Sequence, residues 1–179
     1  MNRALILPLV SLCGLSALSS AQISGEKIGL RVRVGLQFGV GFPQTNNTNG
    51  NLNGPEFGLE FPISSNPGGW EYGIAASALL GGSLAGGTDG YVYRFGFTGR
   101  KMIGKDAYYR LGIGMGQATP KGNTLFKARA NVYGSLSYGF RLGSSPKFLG
   151  KTDPFVEITV YGSPRRELSG FGVGLSLGF

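Results

Sequence analysis

Large apolar residues alternate with small or polar ones along most of the chain after residue 27. Apolar positions that recur every second residue are typical of β-strands, because successive side chains point to opposite faces of a sheet. The stretches between the alternating segments are rich in Gly, Pro, Asn, Asp and Ser, which favour turns. The sequence therefore predicts eight strands, at residues 28–42, 56–61, 70–80, 91–99, 107–116, 126–140, 155–161 and 171–179.

The two faces of the predicted strands differ in chemistry. One face carries large apolar residues, such as Leu30, Phe95 and Leu175, and the other carries Gly, Ser, Ala and a few charged residues. The second face is too thinly charged to hydrate a soluble barrel, but it suits the narrow interior of an eight-stranded one. The apolar face then contacts lipid, where a closed barrel satisfies every backbone hydrogen bond. We therefore predict an all-β, eight-stranded antiparallel up-and-down transmembrane β-barrel.

Aromatic residues near the strand ends predict two girdles at the membrane interfaces. One predicted rim contains Trp70, Tyr72, Tyr109, Phe155 and Phe179. The other contains Phe42, Phe57, Tyr91, Tyr93, Phe126, Tyr161 and Phe171.

The first 21 residues are expected to be a cleaved signal peptide. Arg3 precedes an apolar run from Ala4 to Leu18, and small residues lead to a cleavage site after Ala21. The run is shorter than the ~20 residues of a membrane-spanning helix. Cleavage would remove Cys13, the only cysteine, so disulfides are not expected in the exported chain.

The composition supports the strand prediction and argues against one class of partner, nucleic acid. The chain has 33 glycines, often at a spacing of two, and only 15% charged residues. That spacing matches the strand period and leaves room on one face of a strand. The formal net charge is +8, but the basic residues form no single run, and the chain is expected to be exported. No nucleic-acid partner is predicted.

The charged residues on the small face predict a charge cluster in the lumen. Seven basic residues and three acids fall there: Arg31, Arg33, Arg94, Arg110, Lys127, Arg129, Arg141, Glu60, Glu71 and Glu157. Arg31, Arg33, Arg110 and Arg141 fall near the glutamates and are expected to form a salt-bridged plug, whereas Arg94, Lys127 and Arg129 have no expected acidic partner. A water path through such a lumen would favour anions.

Catalysis is not predicted. The chain has no histidine, which excludes Ser-His-Asp and Cys-His catalysis and removes the commonest metal ligand. The lumen glutamates lie beside arginines and are interpreted as ion-pair partners. We predict no catalytic residues, no metal site and no cofactor.

The closing stretch FGVGLSLGF, with Phe179 last, resembles the C-terminal signature of bacterial outer-membrane barrels. The strand pattern is similar to that of the small eight-stranded OmpA/OmpX-like family. The resemblance implies a bacterial outer-membrane barrel over residues 22–179. The even number of strands predicts that both termini lie in the periplasm. Unlike the two-domain members of that family, the chain is expected to have no peptidoglycan-binding domain after the barrel. The resemblance also implies contact with outer-membrane lipid, and Phe179 as the insertion signal read by the barrel-insertion machinery. Lipopolysaccharide or extracellular surfaces are further candidate partners at the outer loops.

Three functions remain open on the sequence. The first is a structural or surface-interaction role in the outer membrane. The second is a small anion-preferring pore. The third is a soluble secreted barrel that binds a lipophilic ligand, in which the apolar face would point inward.

Overall fold

A computed structural model describes residues 29–39, 42–43, 49–50, 52–66, 69–81, 90–120, 129–141 and 154–178. The predicted signal peptide, Lys127 and Phe179 lie outside the described residues. Within these ranges, no helix is long and apolar enough to cross a membrane.

Eight long strands close into an antiparallel barrel, which confirms the predicted fold. The barrel strands are β1 Arg31–Gly39, β4 Gly54–Ser65, β5 Trp70–Gly81, β6 Gly90–Ile103, β7 Ala107–Pro120, β8 Asn131–Arg141, β9 Phe155–Gly162 and β10 Gly170–Gly178. Around the barrel their order is β1, β10, β9, β8, β7, β6, β5 and β4, and β4 pairs with β1 to close the ring. A small separate hairpin, β2 Phe42–Pro43 with β3 Asn49–Gly50, lies in the connection between β1 and β4.

Several strand boundaries differ from the sequence prediction. The predicted first strand continued to residue 42, but Phe42–Pro43 pairs with Asn49–Gly50 instead of with a barrel strand. The fifth predicted strand ended at residue 116, but β7 continues to Pro120. The fourth ended at residue 99, but β6 stays paired with β7 down to the three-residue turn 104–106. Gly104 has a φ of 69° in that turn, a conformation that glycine adopts without steric cost.

The two ends of the barrel have different connections. At one end, residues 66–69 join β4 to β5 and residues 104–106 join β6 to β7, while β8 and β9 are joined by the longer stretch 142–154. We call this the short-turn end. The opposite, long-loop end carries the connections 40–53, 82–89, 121–130 and 163–169. The last of these contains a 3-10 helix, Arg166–Leu168.

The large apolar residues point outward, as predicted. Phe97 is 67% exposed, Ile113 65% and Phe95 57%, and they lie near the middle of their strands. Outward residues at least two-fifths exposed come from every barrel strand: Val34, Leu36, Phe57, Tyr72, Leu80, Tyr93, Leu111, Met115, Val132, Leu136, Tyr138, Ile158, Val160, Phe171, Val173 and Leu175. This continuous apolar belt is the surface that a transmembrane barrel presents to lipid.

Facing glycines allow the strands to approach closely on the inner side. Gly35 lies directly opposite Gly174, and Gly96 lies opposite Gly114. A Cβ atom on Gly35 would come within 2.4 Å of the backbone oxygen of Val173, which only a backbone shift could relieve. These positions require glycine because a small barrel curves its sheet tightly.

Candidate functional site: the charged lumen

Most of the charged residues predicted for the lumen lie inside the barrel. Arg31, Arg33, Arg94, Arg110, Glu60 and Glu157 have side chains no more than 15% exposed, and Glu71 is 36% exposed at the short-turn end. Two predicted members lie elsewhere. Arg141 lies at the short-turn rim, with its Nε 3.6 Å from Asp106 Oδ1, and Arg129 is exposed just before β8 begins.

Arg33 is the centre of the charge network. Its Nη2 donates a hydrogen bond to Glu56 Oε1 at 2.8 Å, and its Nη1 donates to Glu157 Oε1 at 2.8 Å. The two glutamates occupy one row of the sheet, separated by Gly35 and Gly174. Because these glycines have no side chains, the Arg33 guanidinium has room to reach both carboxylates.

Glu157 collects more donors than any other described carboxylate. Besides Arg33, it accepts hydrogen bonds from Arg110 Nη2 at 2.6 Å, Thr159 Oγ1 at 2.9 Å and the Tyr108 hydroxyl. Arg110 also donates to Ser137 Oγ at 3.1 Å. A buried carboxylate with this many donors has its desolvation cost offset by charge-assisted hydrogen bonds.

A second layer of ion pairs lies toward the short-turn end. Arg31 bridges two glutamates: its Nη1 lies 3.4 Å from Glu60 Oε1, and its Nη2 donates to Glu71 Oε2. The Arg110 Nη1 lies 3.5 Å from Glu60 Oε2, which joins this layer to the Glu157 layer. Arg100 approaches Glu71 at 4.0 Å and stacks over the Tyr108 ring at 3.8 Å. The lumen is therefore filled by one connected network.

The prediction that Arg94 has no acidic partner was wrong. Its Nη1 donates to Gln37 Oε1 at 2.8 Å and lies 3.7 Å from Glu56 Oε1, and its Nη2 donates to the Leu168 backbone oxygen at 3.1 Å. The guanidinium also lies over the Tyr161 ring, 4.0 Å from its centroid. Arg94 thus ties the 3-10 helix of the long-loop end to the charge network.

Two members of the network were missed by the sequence prediction. Glu56 has the same strand parity as Glu60, but it stood at the first position of its predicted segment and was not assigned to the lumen. Arg100 has the same parity as Arg94, but the predicted fourth strand ended at Gly99. Among the described residues, five arginines (Arg31, Arg33, Arg94, Arg100 and Arg110) meet four glutamates (Glu56, Glu60, Glu71 and Glu157). The network is therefore nearly balanced in charge, unlike the predicted seven against three.

Two aromatic residues assigned to the outer rims lie in the lumen instead. Tyr161 is 4% exposed and donates to Glu56 Oε1 at 2.6 Å, and Phe155 is 8% exposed, with its ring 5.2 Å from that of Tyr108. Both have the same parity as Glu157 in β9, so they point inward with it. Their position near strand ends suggested a girdle, but the alternation of side chains along the strand decides whether each ring points inward or outward.

An apolar cluster lies in the lumen toward the long-loop end. Leu79, Val92 and Ala118 point inward from β5, β6 and β7, and each is at most 1% exposed. Leu52, just before β4, and Leu168, from the 3-10 helix, complete the cluster at 2% and 1% exposure. We call these five residues the apolar plug.

Little free space remains among the charged residues. A cavity of about 30 Å³ lies beside Arg31, Arg33 and Arg110, and its lining includes Glu60 and Glu157. A buried water needs about 10–15 Å³, so this cavity has room for about two waters. The described lumen is therefore a packed core of ion pairs, with no room there for an organic substrate.

Replacing Tyr108 by phenylalanine is expected to lower the free energy of unfolding by about 1.5–3 kcal/mol, because Glu157 loses a hydrogen bond donor in a buried site. The ring itself packs against Gly139, where a Cβ atom would come within 2.2 Å of the Tyr108 Cζ, so the phenyl ring keeps its place. Urea unfolding in lipid vesicles measures the change. Tyr138→Phe, on the outward face, is the matched control and should change stability little. Equal effects of the two substitutions would contradict the proposed role of the hydroxyl.

No protein-family model matches the chain, and no curated protein matches it. Among solved structures, Neisserial surface protein A aligns with 84% of this chain and 94% of its own, with a TM-score of 0.52 and 10% sequence identity. The Yersinia pestis outer membrane protein Ail, solved in a phospholipid bilayer nanodisc, aligns with 85% of this chain and 99% of its own, with a TM-score of 0.48 and 12% identity. The chain therefore has the fold of a small eight-stranded outer-membrane barrel, similar to that of Neisserial surface protein A.

Proposed function

We propose that the protein is a bacterial outer-membrane barrel with a structural or surface-interaction role, and that it is not an enzyme. The observation that carries the proposal is the reversal of polarity: a continuous apolar belt surrounds a lumen filled with ion pairs. A barrel with this arrangement is stable in lipid, where its outer surface needs no water.

The location in the outer membrane rests on export together with this fold. The predicted signal peptide would deliver the chain to the periplasm, and Phe179 would present it to the insertion machinery. We infer that the short-turn end faces the periplasm, because barrels of this class have short periplasmic turns and longer outer loops. The long-loop end would then face the cell exterior.

A surface-interaction role is supported by the residues at the long-loop end. Arg166 is exposed in the 3-10 helix, and Arg165 beside it keeps a side chain that is 39% exposed while its Nη1 lies 3.4 Å from Glu167 Oε1. Basic side chains at the long-loop end of the barrel are suited to bind the anionic groups of lipopolysaccharide or of other surfaces. Neisserial surface protein A, which shares the fold, is a surface protein by its name.

The non-catalytic assignment is supported by the state of the lumen carboxylates. Glu56, Glu60 and Glu157 each lie within 3.5 Å of an arginine nitrogen, and the free volume beside them has room only for water. General acid–base catalysis needs a carboxyl group that a substrate can reach.

The anion-preferring pore is the second candidate, because arginines outnumber glutamates by one in the described network. The apolar plug and the Arg94–Leu168 contact argue against a steady path for ions.

The soluble barrel with a lipophilic ligand is contradicted by the direction of the side chains. That alternative needs Leu30, Phe95 and Leu175 to meet in a dry interior, whereas Phe95 and Leu175 are 57% and 45% exposed on the outside.

Cell fractionation followed by a gel assay tests the proposal. The protein should appear with the outer membrane, require detergent for extraction, and migrate differently with and without boiling, because a folded barrel is more compact than its unfolded chain. In planar bilayers the purified protein should give no steady conductance steps. Recovery in a detergent-free soluble fraction would contradict the membrane assignment. Steady steps that disappear in Arg94→Ala would favour the pore instead.

A further inference from the structure

Three rows of outward side chains lie side by side on β5, β6 and β7 near the short-turn end. The row at the rim is Trp70, Lys101 and Tyr109, and the next row is Tyr72, Gly99 and Leu111. The third row, closer to the middle of the barrel, is Ile74, Phe97 and Ile113. Gly99, at the centre of these three rows, therefore leaves a gap between large side chains.

The gap forms an outward-facing groove of about 380 Å³, within the size range of small-molecule sites. Its walls are Trp70, Tyr72, Phe97, Leu111 and Ile113, and its floor includes Gly99. A Cβ atom on Gly99 would lie 3.5 Å from the Trp70 ring, which is ordinary van der Waals contact. The backbone at Gly99 therefore accepts a Cβ atom without a shift of the strands, and a larger side chain there would extend into the groove beside Trp70 and Tyr72.

The positive charge of Lys101 lies at the rim of this apolar groove. The Lys101 Nζ lies 5.9 Å from the centroid of the Trp70 ring, and Lys105 is exposed in the adjoining turn. Lys101 lies two residues from Gly99 along β6, which is about 6.6 Å in a strand. The groove therefore combines an apolar floor with a cation at the level where an aromatic rim meets lipid headgroups.

We propose that this groove binds an anionic glycerophospholipid, with one acyl chain over Gly99 and the phosphate beside Lys101. Charge complementarity selects this occupant, because a Lys or Arg near a membrane surface attracts an anionic headgroup and does not attract a zwitterionic one to the same degree. The proposal rests on the membrane insertion proposed above, and it adds a preferred lipid at a defined place on the belt.

Trp70 provides the measurement, because it is the only tryptophan in the chain and forms a wall of the groove. The full chain is reconstituted in phosphatidylcholine vesicles with a minor fraction of phosphatidylglycerol brominated on the upper acyl chain, and in the reverse composition. Bromine quenches tryptophan fluorescence on contact. We expect phosphatidylglycerol to associate with the Trp70 site about fivefold more strongly than phosphatidylcholine, which corresponds to about 1 kcal/mol for one lysine.

Substitutions at two positions test the headgroup contact and the acyl-chain groove separately. Lys101→Gln should reduce the fivefold preference to nearly one, while acyl-chain quenching persists. Gly99→Leu should fill the groove and reduce quenching by both lipids, and Gly99→Ala should do so to a smaller degree. Gly162→Leu is the matched control, because Gly162 lies at the long-loop end of β9, far from the groove. It is exposed, and nothing lies within 4 Å of an added Cβ atom. This substitution should leave the preference at about fivefold.

Several results would overturn the proposal. Equal quenching by the two lipids, or a preference unchanged in Lys101→Gln, would show ordinary lipid contact without a site. Trp70 quenching that is weak at high protein density and rises on dilution with lipid would show that a second copy of the chain covers the groove. No quenching by either lipid would reject membrane insertion as well, which distinguishes the failure of the function from the failure of the site. The gel shift on boiling verifies that each variant is folded.

Discussion

Replacing Glu157 by glutamine is expected to lower the free energy of unfolding by roughly 3–5 kcal/mol. The substitution keeps the size of the side chain but removes the negative charge that Arg33 and Arg110 share. Both guanidinium groups are almost fully buried and would then lack their common carboxylate. Arg33 keeps Glu56 and Arg110 keeps Glu60, but each loses a closer or equally close buried ion pair. Removing one member of a buried pair costs more than the intact pair contributes. Urea unfolding of the reconstituted protein, followed by the gel shift, measures the effect.

Two comparisons make this prediction specific. Asp106→Asn removes the partner of Arg141 at a residue whose side chain is 77% exposed, and it should cost less than about 1 kcal/mol. Adding Arg110→Met to Glu157→Gln should recover part of the loss, because one of the two buried arginines that lose Glu157 is removed. A cost for Glu157→Gln no larger than that of Asp106→Asn would show that the lumen network is hydrated and weak.

Replacing Phe95 by arginine is expected to destabilise the protein in phospholipid vesicles by about 2–4 kcal/mol, because the new charge would lie near the midplane of the bilayer. Phe95 is 57% exposed in the middle of β6, on the outward belt. In a soluble protein the same exposed position would accept arginine with little change. The free energy of unfolding in vesicles therefore distinguishes lipid from water at this surface.

Thr119→Arg is the control for depth. Thr119 is also outward and exposed, but it lies one residue before the end of β7. Near a membrane interface an arginine costs only about 0–1 kcal/mol. Similar effects at Phe95 and Thr119 would contradict a bilayer centred on the middle of the strands.

The barrel was predictable because its signal is local and repeated. The alternation of large and small residues fixes which face of each strand is apolar, and it held at Phe95, Ile113 and Leu175. Strand ends were less predictable. Pairing with a neighbour decides where a strand stops, so the sequence did not reveal that β6 continues through Arg100 to Ile103.

The lumen network was predictable in kind but not in membership. Strand parity identified Arg33, Arg110 and Glu157, whereas Glu56 and Arg100 were omitted at segment edges. Partners across the barrel depend on register, which period two leaves open, so Arg94 lacked a predicted acid although Glu56 lies 3.7 Å away. Leu79, Val92 and Ala118 share the inward face with charged residues, and nothing in the alternation indicated that they form the apolar plug with Leu168.

The ion pairs of Arg33 join residues that are far apart in the chain: its partner in β9 is 124 positions away, and its partner in β4 is 23. A hairpin alone cannot form the first of these contacts, because β9 comes near β1 only when the last strand, β10, pairs with both. Until the ring shuts, these ionic groups would have to remain in contact with water. Entry into the bilayer and closure of the ring must therefore be coupled, and a half-assembled intermediate would be held at the membrane boundary by its own unneutralised charges.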